Sequence, residues 1–140
     1  MSSYLNIYVK PKSEFNVDKN MLLSSQCRCS PIYEALSLCV RNNEEGTLLT
    51  VAMCDDVIHN LNQSIEEHRE KDETYMEVIT KATINDSDTL YAVMDEHLSS
   101  KRYIKSLEEQ LQLMTWLRSF VNDVSEGYTD FAEVRITIDY

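Results

Sequence analysis

Along the chain, apolar residues recur at every second position, then at every third and fourth, then at every second again. Residues 4–10 alternate, with Leu5, Ile7 and Val9 on one side and Asn6, Tyr8 and Lys10 on the other. Residues 132–140 do the same, with Val134, Ile136, Ile138 and Tyr140 opposite Glu133, Arg135, Thr137 and Asp139. Period two with β-branched residues predicts half-buried strands, and two such strands most simply share a sheet. A third strand is expected over 21–28, with Met21, Leu23 and Cys27 facing inward across an interruption at Ser24-Ser25. Pro11 opens a loop over 11–20.

The segment between these strands has the helical period. Ser30-Pro31 is a helix start: serine caps the free amides, and proline sits where its missing donor costs nothing. A helix over 31–42 follows, with Ile32, Ala35, Leu36, Cys39 and Val40 at helical spacing, and Asn42-Asn43-Glu44-Glu45-Gly46 ends it. Two longer helices are predicted over 48–83 and 88–124, joined by the polar turn Asn85-Asp86-Ser87-Asp88. Matched helices with a short connection fold back as an antiparallel hairpin, on the order of 50 Å long at about 1.5 Å per residue. Gly127 is placed to end the second of them. The expected fold class is α+β and predominantly helical: one domain in which the hairpin and a shorter helix pack on a two- to three-stranded sheet.

Each long helix carries a seam that steps by three and four. In the first it runs Val51, Cys54, Ile58, Leu61, Ile65, His68, Asp72, Tyr75, Ile79 and Ala82. In the second it runs Leu90, Val93, His97, Ser100, Ile104, Leu107, Leu111, Met114, Arg118 and Val121, widened by Leu117 and Phe120. Folding about residues 85–86 sets His68 near position 103 and Asp72 near position 99. The polar interruptions of the two seams therefore fall at one height. The base, 51–65 with 104–121, should pack on the first helix and the sheet. The distal part, 66–103, should extend beyond that core as an arm. Glu67–Lys71, Arg69–Glu73 and Glu77–Lys81 are i,i+4 pairs that keep such a segment helical while solvated.

Near the tip, Tyr75, Met76, Val78, Ile79, Leu90, Tyr91, Val93 and Met94 offer more apolar surface than two helices hide from each other. Tyr75, Met76, Ile79, Leu90, Tyr91 and Met94 are therefore the candidate partner-binding residues, and a second copy of the chain is the expected partner, the alternative being an arm that bends back on its own core. Docking two hairpins makes a four-helix bundle, and two-fold dimers are the commonest oligomers. His68, Asp72, His97 and Ser100 are either a polar layer that sets its register or a simple solvated gap in the seam.

Charge adds a second reading. The 140 residues carry a formal net charge of −11, which disfavours nucleic acid and anionic membranes, both of which attract basic patches. Lys10 with Lys12, and Arg102 with Lys105, are only local pairs. Asp55, Asp56, Glu66, Glu67, Glu70, Glu73 and Glu77 form an acidic row, and Glu66, Glu70 and Glu73 could occupy the basic groove of a partner protein. Small acidic chains without motifs, as in accessory proteins of phages and mobile elements, suit such mimicry of nucleic acid.

Chemistry is sparsely signalled. Glycine and proline number two each, so few tight loops are expected and no phosphate-cradling loop exists. Cysteines 27, 29, 39 and 54 lack CxxC spacing, and Cys39 and Cys54 fall on apolar helical faces. The N-terminus lacks a signal-peptide pattern and no stretch reaches membrane-span length, so a reduced, cytoplasmic protein is expected. For metal, Asp56 and His59 lie outside the seam, and His68, Asp72 and His97 supply three ligands at most. Cys29 precedes the capping serine, a position that can lower a thiol's pKa, yet no histidine is near in sequence to act as base, and a partly buried structural cysteine is the plainer reading. The expectation is a non-enzymatic interaction module without cofactor or metal.

Overall fold

The alternating segments pair with each other as their patterns require. The computed structural model describes residues 3–12, 20–40, 46–81 and 87–139. Strand β1 (Tyr4–Pro11) lies antiparallel to the last strand, β4 (Phe131–Asp139), setting Leu5 opposite Ile138, Ile7 opposite Ile136 and Val9 opposite Val134. Leu5, Ile7, Val9, Val134 and Ile136 are buried, so the β-branched face of each strand covers the other's neighbours. Strand β2 (Met21–Cys27) flanks β1 and the two-residue β3 (Thr47–Leu48) flanks β4, giving a four-stranded antiparallel sheet in the order β2-β1-β4-β3.

Strand β2 is present, but it does not face inward through Met21 and Cys27. Ile7 pairs with Ser24 and Tyr8 with Leu22, which leaves Leu23 as the extra residue of a bulge. The bulge shifts the strand's phase. Gln26, opposite Leu5, becomes the buried position, while Met21 is 56% exposed and Cys27 also faces solvent. A buried amide needs partners. Gln26 Nε2 donates to Ser24 Oγ at 2.8 Å, and Ser30 Oγ donates to Gln26 Oε1 at 2.9 Å. Ser30 Oγ in turn accepts from the Ile32 amide at 3.2 Å, so one hydroxyl ties the strand to the start of the next helix.

That helix, α1 (Pro31–Ser37), opens on the Ser30 cap with Pro31 in its first turn, as predicted, and buries Ile32, Tyr33 and Leu36. It ends five residues short of the expected 42. The Ser37 hydroxyl donates to the Glu34 carbonyl, and tight bonds from Cys39 to Leu36 and from Val40 to Ser37 turn the chain. Leu38 and Cys39 are left exposed, so Cys39 is not on an apolar helical face. The predicted ending at 42–45 and most of the predicted 11–20 loop lie outside the described residues.

Helix α2 (Val51–Lys81) starts three residues later than expected, because Thr47 and Leu48 pair with β4 instead. The Leu49 amide extends that ladder to the Val134 carbonyl at 2.8 Å, and Thr50 then caps the helix by accepting from the Met53 amide. Helix α3 (Ser87–Ser125) closes at Gly127, whose φ of +80° lets Tyr128 bond back to the Asp123 carbonyl at 2.9 Å. The proposed turn at Asn85-Asp86, the seam residue Ala82 and the terminal Tyr140 lie outside the described residues, as does the side chain of Val78. The described residues thus form an α+β fold with three helices, and no helix among them is long and apolar enough to cross a membrane.

Two units divide these elements. The sheet unit, Met1–Ile58 with Leu113–Tyr140, holds the sheet, α1, the first turns of α2 and the last turns of α3. The hairpin unit is His59–Gln112. The division falls nearer the sheet than the expected 65 and 104.

In the sheet unit Cys54, Val57, Met114, Leu117, Val121 and Val124 are buried together with the strand faces. Burial pushes the Cys54 thiol up to about 11, against the opposing pull of Arg118. That guanidinium instead forms an exposed pair with Asp55 at 2.6 Å, whose carboxylate holds the Arg118 pKa above its ordinary value. A cleft of about 460 Å³, walled by Leu49, Val51, Val121, Val124 and Val134, also belongs to this unit.

Candidate interaction site on the helical hairpin

Residues of α2 and α3 meet within the hairpin unit at the heights that the seams predict. His68 stacks obliquely on Tyr103, with ring centroids 4.6 Å apart. Asp72 Oδ1 lies 2.6 Å from His97 Nδ1, and Arg69 Nη2 donates to Glu108 Oε1 at 2.7 Å. Later residues of one helix meet earlier residues of the other, so the two run antiparallel. Arg69 therefore pairs across the helices and not with Glu73 as expected.

The seam is buried or half-buried throughout its described length. Leu61, Ile65 and Leu107 are buried within this unit, and Tyr75, Ile79, Leu90, Val93 and Ile104 are half-buried. At its polar height His97 is only 8% exposed, and Asp72 and Ser100 are half-buried. His68 donates from Nδ1 to the Ser64 carbonyl of its own helix at 2.7 Å, which holds its ring beside Tyr103. The predicted polar layer is thus assembled around one close carboxylate–imidazole contact.

The layer is under-bonded. Asp72 Oδ1 and His97 Nδ1 approach out of line for a hydrogen bond, and Ser100 Oγ is buried without a partner among the described residues. Aspartate, histidine and serine are the side chains of a hydrolytic triad, yet the step from imidazole to hydroxyl is not made here. The described residues also hold no group of three or more histidine, cysteine or acidic side chains arranged for a metal. Asp56 and His59 are both exposed.

Buried groups bonded this poorly cost free energy, which gives a direct expectation. Asp72→Leu alone should destabilise the protein by about 1–3 kcal/mol, since it leaves the His97 ring facing hydrocarbon. Asp72→Leu combined with His97→Leu should recover most of that loss, because an apolar pair of similar volume needs no partners. Urea denaturation of both single variants and the double variant measures the coupling. A double variant as unstable as the sum of the singles would show that the contact does not matter.

The predicted binding residues separate into two sets. Tyr75, Ile79 and Leu90 are half-buried parts of the seam. Met76, Tyr91 and Met94 are exposed by 45%, 65% and 41%. Sequence reasoning missed Leu98, 50% exposed, which follows Tyr91 and Met94 at steps of three and four and so extends one apolar stripe along α3. Glu66, Glu70 and Glu73 are exposed, whereas Asp55, at the other end of the acidic row, is engaged by Arg118. An open depression of about 410 Å³ lies beside the layer, lined by His68, Lys71, Tyr75, Asp95, Ser99 and Tyr103 among others.

Of two features of the sheet unit, one lay outside the sequence reading and the other corrects it. Trp116 stacks on Phe120 at 5.4 Å, and Phe120 leans on Phe131 at 5.9 Å, with Trp116 52% exposed. The i,i+4 spacing of Trp116 and Phe120 was the available signal. The second is Cys29, which is exposed and not partly buried. Its pKa is raised, chiefly by its hydrogen bond to Cys27, so it is not the activated thiol that its place before Ser30 suggested. No family model matches the chain, and no curated protein and no solved structure is significantly similar to it.

Proposed function

We propose that the protein is a non-enzymatic interaction module that associates with a second copy of itself through the hairpin. One observation carries the reading: Tyr91, Met94 and Leu98 form a continuous stripe on α3 and are all exposed by 41% or more. Apolar side chains scattered singly over a surface need no explanation, but a stripe at helical spacing is a docking face. A two-fold axis near Met94 brings this stripe against itself and makes a four-helix bundle. It also sets the acidic start of α3, at Asp88, beside Lys101 and Arg102 of the other copy, which offsets repulsion between two chains of charge −11.

The test is the mass in solution by light scattering across a micromolar concentration series. The wild type should run as a dimer, and Tyr91→Glu with Leu98→Glu should weaken association at least about tenfold, the cost of about 1.4 kcal/mol. Both positions are exposed, so far-UV circular dichroism should stay unchanged. A monomeric wild type at these concentrations, or a double variant that dimerises as before, overturns the reading.

The exposed Glu66, Glu70 and Glu73 favour a second reading, in which this face of α2 occupies the basic groove of another protein. That reading requires salt-sensitive binding to a basic partner, lost when the three residues become lysine. It leaves the Tyr91 and Leu98 variants fully active in binding.

A further inference from the structure

Residues Cys27-Arg28-Cys29-Ser30 join β2 to α1. The Ser30 amide donates to the Cys27 carbonyl at 2.9 Å, which turns the chain back within three residues. The turn brings the side chains at 27 and 29 together, with their sulfur atoms 2.8 Å apart. Both cysteines are exposed, so a solution reagent can reach either sulfur. Tight convergence and free access together are what exchange between thiols and disulfides requires.

We propose that Cys27 and Cys29 form a dithiol site for thiol–disulfide exchange, with Cys27 as the attacking sulfur, Cys29 as the resolving sulfur and a low-molecular-weight disulfide of the glutathione class as co-reactant. The division of roles follows from the hydrogen bond between them. A bond from the Cys29 thiol lowers the pKa of Cys27, while the same bond raises that of Cys29. Of the two, Cys27 is therefore the more readily deprotonated, and the thiolate is the nucleophile.

The exchange balances without any further reagent. The Cys27 thiolate attacks one sulfur of the oxidised glutathione, forming a mixed disulfide on Cys27 and releasing one glutathione thiolate. That thiolate takes the Cys29 proton. Cys29 then attacks the Cys27 sulfur, closing the bond between 27 and 29 and expelling the second glutathione, which is protonated by solvent. Two protein thiols are oxidised by two electrons, and one external disulfide is reduced to two thiols. Exposed disulfides closed over a short span are readily reduced again, so excess thiol reverses the step.

The other two cysteines provide the contrast. Cys54 is buried with its pKa pushed up to about 11, so it stays protonated and inert at neutral pH. Cys39 is an exposed thiol outside the pair. The full chain is incubated with oxidised glutathione at pH 7 and followed by mass spectrometry. The expected product has lost two hydrogens and carries no glutathione. Trypsin cleaves after Arg28, so in a Cys39→Ser background the peptides ending at 28 and beginning at 29 remain joined only by the bond between 27 and 29. Reaction at Cys27 should run at least about tenfold faster than at Cys39. Cys29→Ser should stop at a stable glutathione adduct on Cys27, and Cys27→Ser should leave Cys29 no faster than Cys39. Two independent adducts at 27 and 29, or equal rates at 27 and 39, overturn the proposal.

Discussion

Ile136→Ala should cost about 2–5 kcal/mol of folding stability, the range for removing a large aliphatic side chain from a core that cannot close over the gap. Ile136 is fully buried in β4, opposite Ile7 on one side and Thr47 on the other. Each of these neighbours is held in a strand ladder, so none can move in to fill the space. Ile138 is the internal comparison: it is half-buried, faces Leu5 toward the end of the same strand, and should cost clearly less when cut to alanine. Urea denaturation of the two variants decides the matter. Against a typical total stability of about 5–15 kcal/mol, the Ile136 loss is a large share. Equal losses at 136 and 138 would mean that burial along β4 does not grade as described.

Gly46→Ala is the second large effect, at about 2–4 kcal/mol, although it adds only a methyl group. Gly46 has φ of +74°, a conformation that L-residues adopt at a cost of about 1–2 kcal/mol. Space is the larger problem. An added Cβ would lie 2.8 Å from the Ile136 carbonyl oxygen and 2.7 Å from Thr137 Cγ2, with the Tyr8 hydroxyl at 2.9 Å. The carbonyl belongs to β4 and is held there by the sheet. Retreat of Gly46 would also disturb its own carbonyl, which accepts from Arg135 Nη1 at 3.0 Å. Gly127 separates the two causes: it has nearly the same φ, +80°, with nothing near an added Cβ. Gly127→Ala should therefore show the conformational cost alone, about 1–2 kcal/mol. Thermal denaturation of the two variants gives the difference, and a Gly127 loss as large as that at Gly46 would remove the steric argument.

The sequence made the elements with a long uninterrupted period legible. Leu5, Ile7 and Val9, with Val134 and Ile136, announce their strands because burial on one face forces alternation over the whole element. The two seams of the hairpin were legible for the same reason, including the height at which His97 and Asp72 meet. Where an element is too short to have a period, nothing announces it. Thr47 and Leu48 look like the start of a helix, and only β4 beside them makes them a strand. Strand β2 shows the opposite failure. Its pattern is regular, but one extra residue at Leu23 reverses the faces, and no local signal tells a bulge from a plain continuation.

Surface chemistry was harder still. Sequence spacing gave Met76, Tyr91 and Met94 as tip residues, yet it could not tell them from Tyr75, Ile79 and Leu90, which are half-buried. Leu98 was passed over because the polar residues around it hide its place in the stripe. The pairing of Cys27 with Cys29 depends on a backbone turn and not on a spacing rule, so counting cysteines could not find it.

The order β2-β1-β4-β3 places side by side two strands that have the entire helical hairpin between them in sequence. In an unfolded chain, joining them means closing a loop of on the order of a hundred residues, whose entropic cost grows with the logarithm of its length. Antiparallel helices return the chain toward its point of departure, so a formed hairpin behaves in that closure as a much shorter connection. Its contacts are also mostly between neighbours along the hairpin, the kind that form fastest. The helices thus have a part in folding as well: by returning the chain they let β4 find β1.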